Sequence, residues 1–192
     1  MTSIRLDMTI SLNGFVAGSD DRPGQEMGRG GFRLFNWLDD RNEPGPNGTV
    51  YAEAMATGAI ITGRRTFELA GRWNGDHHNG VPILVLTNHV DDSDKAPGSA
   101  MFYTDVIACA AAARAGSGGK DVMVHGAGAA QALIHAGELD EIELHVVPVL
   151  LGAGRRLFDH LDDIDGPVEL ELVRTVQGRD ATHLRYRVLS SS

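Results

Sequence analysis

Hydrophobic and polar positions alternate from the start of the chain. Ile4, Leu6, Met8 and Ile10 interleave with Arg5, Asp7 and Thr9, the period-two pattern of a half-buried strand. The pattern breaks at Asn13-Gly14, and Phe15-Val16-Ala17-Gly18 leads into a polar, glycine-rich loop, SDDRPGQEMGRGG. A long loop placed directly after a first strand is a functional or a disordered segment. Within FRLFNWLDDR (32–41), a helical period sets Phe32, Phe35 and Asp39 on one face, with Leu34 and Leu38 beside it. NEPGPNG reads as an irregular surface connection, and a short helix is predicted over 49–57, closed by Gly58.

Strand and helix patterns then take turns. A short buried strand over 59–62 runs into Gly63-Arg64-Arg65-Thr66-Phe67-Glu68, which opens a helix. RWNGDHHNG is loop, VPILVLT (81–87) is a nearly continuous apolar strand, and DDSDKAPG is turn and loop. Met101-Phe102-Tyr103 makes another strand, and Thr104-Asp105 precedes an Ala-rich helix ending near Gly116. VMVH (122–125) is a strand, followed by Gly126-Ala127-Gly128 and a helix to about His135, with Gly137 as its C-cap. Strands this apolar belong to a sheet covered on both faces. After a strand carrying Ile142, Leu144, Val146 and Val147, the chain ends in VELELVRTV (168–176) and THLRYRVL (182–189), joined by QGRDA as a hairpin. The predicted class is α/β: a three-layer arrangement with a central mixed, mostly parallel sheet, helices on both faces and an antiparallel C-terminal hairpin.

Composition narrows the function classes. At 192 residues, with 42% hydrophobic and 22% charged positions, the chain suits one ordinary globular domain spanning 1–192. A net charge of −9 argues against nucleic acid or an anionic membrane surface as the main partner. No apolar run approaches the ~20 residues of a membrane span, and the first residues lack a signal-peptide core, so a cytoplasmic protein is expected. Cys109 stands alone in a helical context, where a buried, inert thiol is the expectation. His77, His78, His125 and His135 match no metal-ligand spacing, and neither a nucleophile elbow nor a Walker loop occurs. The acidic run Asp159 to Asp165 reads as a solvated face or a helix-start cluster, and Ser190 to Ser192 as a tail.

Three polar clusters sit where strands end. Gly126-Ala127-Gly128 places bare backbone N–H groups at a helix start, which attracts an anion such as a pyrophosphate; a tight turn between strand and helix fits the same letters equally well. A dinucleotide fingerprint would want Gly or Ala where Gln131 stands. Gly63, Arg64, Arg65 and Thr66 repeat the strand–turn–helix grammar with two guanidinium groups and a hydroxyl, and a solvated helix start is the alternative reading. Thr87 and Asn88 close the third strand at the edge where open α/β sheets collect ligands, although taken alone these letters fit a plain strand-ending turn better.

Taken together, MTISLNGFVAG (8–18), ITGRRTFE (61–68), PILVLTN (82–88), VMVHGAGAAQALI (122–134), LDEIELHVVPVLLGAGRRLF (139–158) and THLRYRV (182–188) resemble the dihydrofolate reductase-like superfamily. Within it, they are most similar to the C-terminal reductase domain of the riboflavin-biosynthesis bifunctional deaminase–reductase. The resemblance spans essentially the whole chain and is weakest over 19–57. It implies an NADPH-dependent oxidoreductase that passes a hydride to a pterin- or pyrimidine-type heterocycle such as 5-amino-6-(5-phosphoribosylamino)uracil, without the deaminase half. Dihydrofolate reduction, reduction of another small molecule and NADP(H) binding without catalysis are the alternatives. By position, Arg64 would clamp the adenosine 2′-phosphate beside Leu86, Thr87 and Asn88. Gly63, Arg65 and Thr66 would meet the pyrophosphate from one helix, and Gly126, Ala127, Gly128, Ala129 and Ala130 from the other, with Ala17 near the nicotinamide. A homodimer is implied as well. Two departures stand out: Gly126-Ala127 replaces a Gly-Gly pair that carries a cis peptide in the folate enzymes, and Asn13 stands where Asp is frequent. The substrate-binding carboxylate of those enzymes falls to Asp39 or Asp40, with Asp39 favoured because it shares a face with Phe32 and Phe35. Phe35 and Trp37 are either a stacking surface for a flat ring or plain core.

Overall fold

The computed structural model describes residues 2–95, 100–161, 164 and 166–189. Residues 96–98 of the DDSDKAPG loop, Asp162, Asp163 and Asp165 of the acidic run, and the Ser190 to Ser192 tail lie outside the described residues. The elements in chain order are β1 (Ile4–Ser11), β2 (Phe15–Gly18), α1 (Pro46–Met55), β3 (Ala59–Gly63), α2 (Arg64–Leu69), β4 (Ile83–Leu86), β5 (Ala100–Tyr103), α3 (Val106–Gly116), β6 (Val122–His125), α4 (Ala127–His135), β7 (Glu141–Val147), β8 (Gly154–Arg156), β9 (Leu170–Gln177) and β10 (Thr182–Val188). An eight-stranded sheet runs β5-β4-β3-β6-β1-β7-β10-β9. Every pair from β5 to β7 is parallel, and β10 joins β7 and β9 antiparallel. The predicted class therefore holds, including the closing hairpin.

Helices cover both faces. On one, the small residues of α3 (Cys109, Ala110, Ala113) and α4 (Ala127, Ala129, Ala130, with Leu133) lie against Ile4, Leu6, Ile61, Leu84, Val122 and Val124. On the other, Ala54 of α1 meets Ile60 and Met123, while Phe67 of α2 meets Ile83 and Val85. Asp105 caps α3 by accepting from the Ala108 N–H at 2.7 Å, an interaction worth about 1 kcal/mol. Cys109 is fully buried and burial pushes its thiol up to about 12, so it is inert as expected. No helix among the described residues is long and apolar enough to cross a membrane.

Three local readings change. The alternation in β1 does not mark one wet face: Arg5, Asp7, Thr9 and Ser11 are buried as deeply as the apolar positions between them. The segment over 31–40 is a 3₁₀ helix (Gly31–Asp40), so a period of three replaces 3.6 and sets Gly31, Leu34 and Trp37 inward. α1 begins at Pro46, inside the predicted NEPGPNG connection, with the proline in the first turn where its missing N–H costs nothing. A small second sheet also forms: β8, from the LGAGRRLF stretch, pairs antiparallel with β2, and Arg156 lies over the Phe15 ring at 4.5 Å.

Candidate active site

The C-terminal ends of β3, β4 and β6 open onto one cavity of about 1250 Å³, which continues along the buried polar face of β1 toward the 3₁₀ helix and α1. Of the residues implied in cofactor binding, Ala17, Gly63, Arg64, Arg65, Thr66, Leu86, Thr87, Asn88, Gly126, Ala127, Gly128 and Ala129 all line it. Ala130 does not; it is fully buried in the core on the far side of its helix turn.

Gly126 explains how the two strand–helix turns come together. It holds φ at 94°, and a Cβ there would stand 2.3 Å from the Thr66 Oγ1. Only glycine fits both demands. The next residues, Ala127 to Ala129, open α4 without a side-chain cap, and a Cβ on Gly128 would meet nothing within 4 Å. The amide-rich end of α4 therefore faces open space in the cavity. Among the described residues no peptide bond is cis, that of Gly126-Ala127 included.

Arg64 is held on several sides. Its Nε donates to the Thr87 Oγ1 at 2.9 Å and Nη2 to the His89 carbonyl at 2.8 Å, and it forms a two-pronged ion pair with Asp94. Its guanidinium lies 5.1 Å from the centre of the Phe102 ring. The hydrogen bond from Arg64 holds the Asp94 carboxyl down at about 2. Arg65 donates to Asp21 at 3.1 Å, and Arg155 reaches the same carboxylate at 3.4 Å, so the loop after β2 is tied to both α2 and β8 across the cavity mouth.

Aromatic and apolar side chains line it as well: Phe32, Phe35, Trp37, Leu38, Tyr51, Ala54 and Met55. The two aromatic candidates split. Trp37 is 4% exposed and donates from its indole to the Thr9 Oγ1 at 3.0 Å, which makes it core with one edge on the cavity. Phe35 is 37% exposed and presents its ring. Asp39 is exposed and does not line the cavity, because the three-residue period turns it away from Trp37. Of the carboxylates that line the cavity, the buried one is Asp7, on β1. It accepts from the His145 Nε2 at 3.1 Å, and His145 in turn contacts His183. His125 donates from Nδ1 to the Asp7 carbonyl at 3.0 Å and meets the His77 Nε2 at 3.0 Å. Burial, with the neighbouring His125 and His78, pushes His77 down to about 3, and burial likewise lowers His125. No group of described residues has the arrangement of a metal site.

Asp7, His145 and His183 were not among the residues singled out by motif. The signal for Asp7 and His145 lies in IRLDMTIS and EIELHVV, whose polar positions pair across two adjacent central strands, and His183 of THLRYRV stands opposite His145 on the next strand.

The architecture, with its site at the strand ends beside a glycine turn, is that of dihydrofolate reductase-like enzymes. Similar solved structures include a protein from Shewanella sp. PV-4 ascribed to riboflavin biosynthesis (20% identity, TM-score 0.67, 99% of this chain and 100% of that one). A second is the dihydrofolate reductase of Enterococcus faecalis, in complex with NADP(H) and RAB-propyl (18%, 0.61, 98% and 97%). A third is the diaminohydroxyphosphoribosylaminopyrimidine deaminase/5-amino-6-(5-phosphoribosylamino)uracil reductase of Thermotoga maritima (12%, 0.64), of which this chain matches 57%. No curated protein matches the sequence. The family model of the RibD C-terminal domain matches residues 2–184, and the chain belongs to that family. Fold and family together define a riboflavin-pathway reductase-like protein.

Proposed function

We propose that this protein is an NADPH-dependent reductase that delivers a hydride to a flat pyrimidine- or pterin-type heterocycle, of the 5-amino-6-(5-phosphoribosylamino)uracil reductase kind. The observation that carries this reading is that one cavity is lined by two kinds of surface. One has two glycine turns, the α4 N-terminus and Arg64; the other has aromatic side chains and a buried carboxylate. The first fits a dinucleotide: Gly128 and Ala129 leave the amide end of α4 open to a pyrophosphate, and Thr66 stands against Gly126 to share it. Bound NADPH would supply a hydride from its nicotinamide. The protein then has to hold that ring near Ala17, set the acceptor against Phe35 and the Trp37 edge, and keep water out.

Arg64 is the residue assigned to the adenosine 2′-phosphate. Because Asp94 already neutralises its guanidinium, the phosphate competes with a carboxylate for the same donors. Titrating NADPH and NADH against the fluorescence of Trp73, which lines the cavity, tests both points. Wild type is expected to bind NADPH in the micromolar range. Arg64→Ala should lose about tenfold or more for NADPH, about 1.4 kcal/mol, and little for NADH, whereas Asp94→Asn should tighten NADPH binding. Absence of binding by wild type would sink the reductase reading, and equal NADPH binding by Arg64→Ala would remove Arg64 from it. A homodimer belongs to the same reading. It is supported by β9, an edge strand with Leu170, Leu172 and Val173 exposed, the kind of edge that a second chain protects.

A further inference from the structure

The direction of the hydrogen bonds around Asp7 can be worked out from one fixed amide. Asn47, buried at the start of α1, points its Nδ2 at two carbonyl oxygens, those of Trp37 and Arg179, each at 3.0 Å. Carbonyls only accept, so that nitrogen is the amide donor and Asn47 Oδ1 is the atom facing the His183 Nε2 at 3.0 Å. His183 must therefore carry a proton on Nε2. Its Nδ1 faces the Nδ1 of His145 at 2.8 Å, which requires one proton between them. The remaining nitrogen, His145 Nε2, lies 3.1 Å from Asp7 Oδ1, and that contact requires a proton too. Three contacts thus need three protons. Two neutral imidazoles supply two, and an ionised Asp7 supplies none. The buried chain holds one proton more than neutral histidines and a free carboxylate would.

The space is built for this chain. A Cβ on Gly178 would stand 1.8 Å from Asn47 Oδ1 and 2.8 Å from His183 Nε2, so the hairpin loop admits only glycine where it covers the pair. Trp37 seals the other side, its ring 4.5 Å from His145 and 5.0 Å from His183. At the opposite end, Asp7 and His145 both line the cavity. The charged and titratable groups facing the chain are Arg5 on β1, His125 on β6, His77 after α2 and Arg174 on β9.

We propose that Asp7, His145, His183 and Asn47 form a proton store on the substrate side of the cavity, and that the proton shared by Asp7 and His145 is delivered to the substrate as it is reduced. This rests on the reductase reading above. Reduction of a C=N or C=O bond by a dihydronicotinamide puts the hydride and its electron pair on carbon and leaves the heteroatom in need of one proton. That proton leaves His145 Nε2 by way of the Asp7 carboxylate. An N–H or O–H bond forms on the substrate, His145 becomes neutral, and the chain regains its proton from solvent through the cavity. Asp7 and His145 are the catalytic residues; His183 and Asn47 position them. Burial alone would raise Asp7, but the charge and hydrogen bond of His145, with His125 and Arg5 behind it, bring it to about 2. Burial, with His145 and Arg174 beside it, lowers His183 to about 4. The negative charge of Asp7 draws the extra proton to its own end of the chain.

Nitrogen-15 NMR of labelled histidines reads this without any turnover. Wild type at neutral pH should show His145, identified by its loss in His145→Gln, with both ring nitrogens protonated. In Asp7→Asn the amide can turn its NH2 group toward His145, so the ring should become neutral. The same variant should bind NADPH within about twofold of wild type, with kcat for heterocycle reduction lowered about 10²–10⁴-fold and the acid limb of its pH profile changed. Neutral imidazoles at both His145 and His183 in wild type, with the Asp7 carboxyl ionised by its carbon-13 shift, would overturn the proton store whatever the activity. A doubly protonated His145 in a protein that fails to bind NADPH would instead overturn the reductase reading, and with it the proposed delivery.

Discussion

Gly126 carries two constraints at once, a φ of 94° and contact with Thr66. Gly126→Ala should therefore cost about 1–3 kcal/mol of stability from backbone strain and weaken dinucleotide binding further by pushing Thr66 out of the turn. Denaturant unfolding and an NADPH titration check the two parts. Removing the clash with Thr66→Ala in the same chain should recover part of the stability but not the binding. The turn itself was legible in the sequence because small residues between a strand and a helix mark a tight strand–helix junction. Arg64 was legible in position and not in partners: nothing in ITGRRTFE announces that Asp94, thirty residues on, would hold it. Asp7 and His145 were hidden for a different reason. Alternation of polar and apolar letters looks the same whether the polar face meets water or a buried network.

At the scale of elements, the antiparallel finish is fastened by charge. Glu143 on β7, its side chain 1% exposed, pairs with Arg185 on β10 and Arg174 on β9, and both arginines also reach Glu53 on α1. Removing one partner from a buried set of this kind leaves an uncompensated charge. Glu143→Ala should destabilise the protein by about 3–5 kcal/mol, seen as a lower denaturation midpoint with an unchanged slope. Strands and the main helices were readable from period and punctuation, since apolar runs bounded by glycines fix both. The segment over 31–40 was not. Its apolar residues fit a helix of either pitch, and burial of Leu34 and Trp37 three apart, not any local signal, selects the tighter one and turns Asp39 outward.

For the whole molecule, buried neutral imidazoles set the acid limit. His77 at about 3 and His183 at about 4 both lie below the 6.5 of a free histidine. Between those values the unfolded chain binds protons that the folded one refuses, so stability is present above about pH 6.5 and falls as pH drops toward 4. Thermal melts across that range check the slope, and His77→Gln should flatten it. The exposed apolar edge of β9 gives a second expectation: light scattering should report a dimer that Leu172→Glu shifts toward monomer. The class of fold was legible at this scale because the order of strand–helix units and a terminal hairpin leaves few topologies. The buried polar lining of the cavity was not, since it depends on contacts between β1, β7 and α1 that are far apart in sequence. The most direct measurement is a crystal structure with NADP⁺ bound. The expected result is a pyrophosphate at the α4 N-terminus beside Gly126 and Thr66, with the nicotinamide at Ala17 facing the Asp7 side of the cavity. A dinucleotide bound elsewhere, or one whose nicotinamide points away from Asp7, would contradict it.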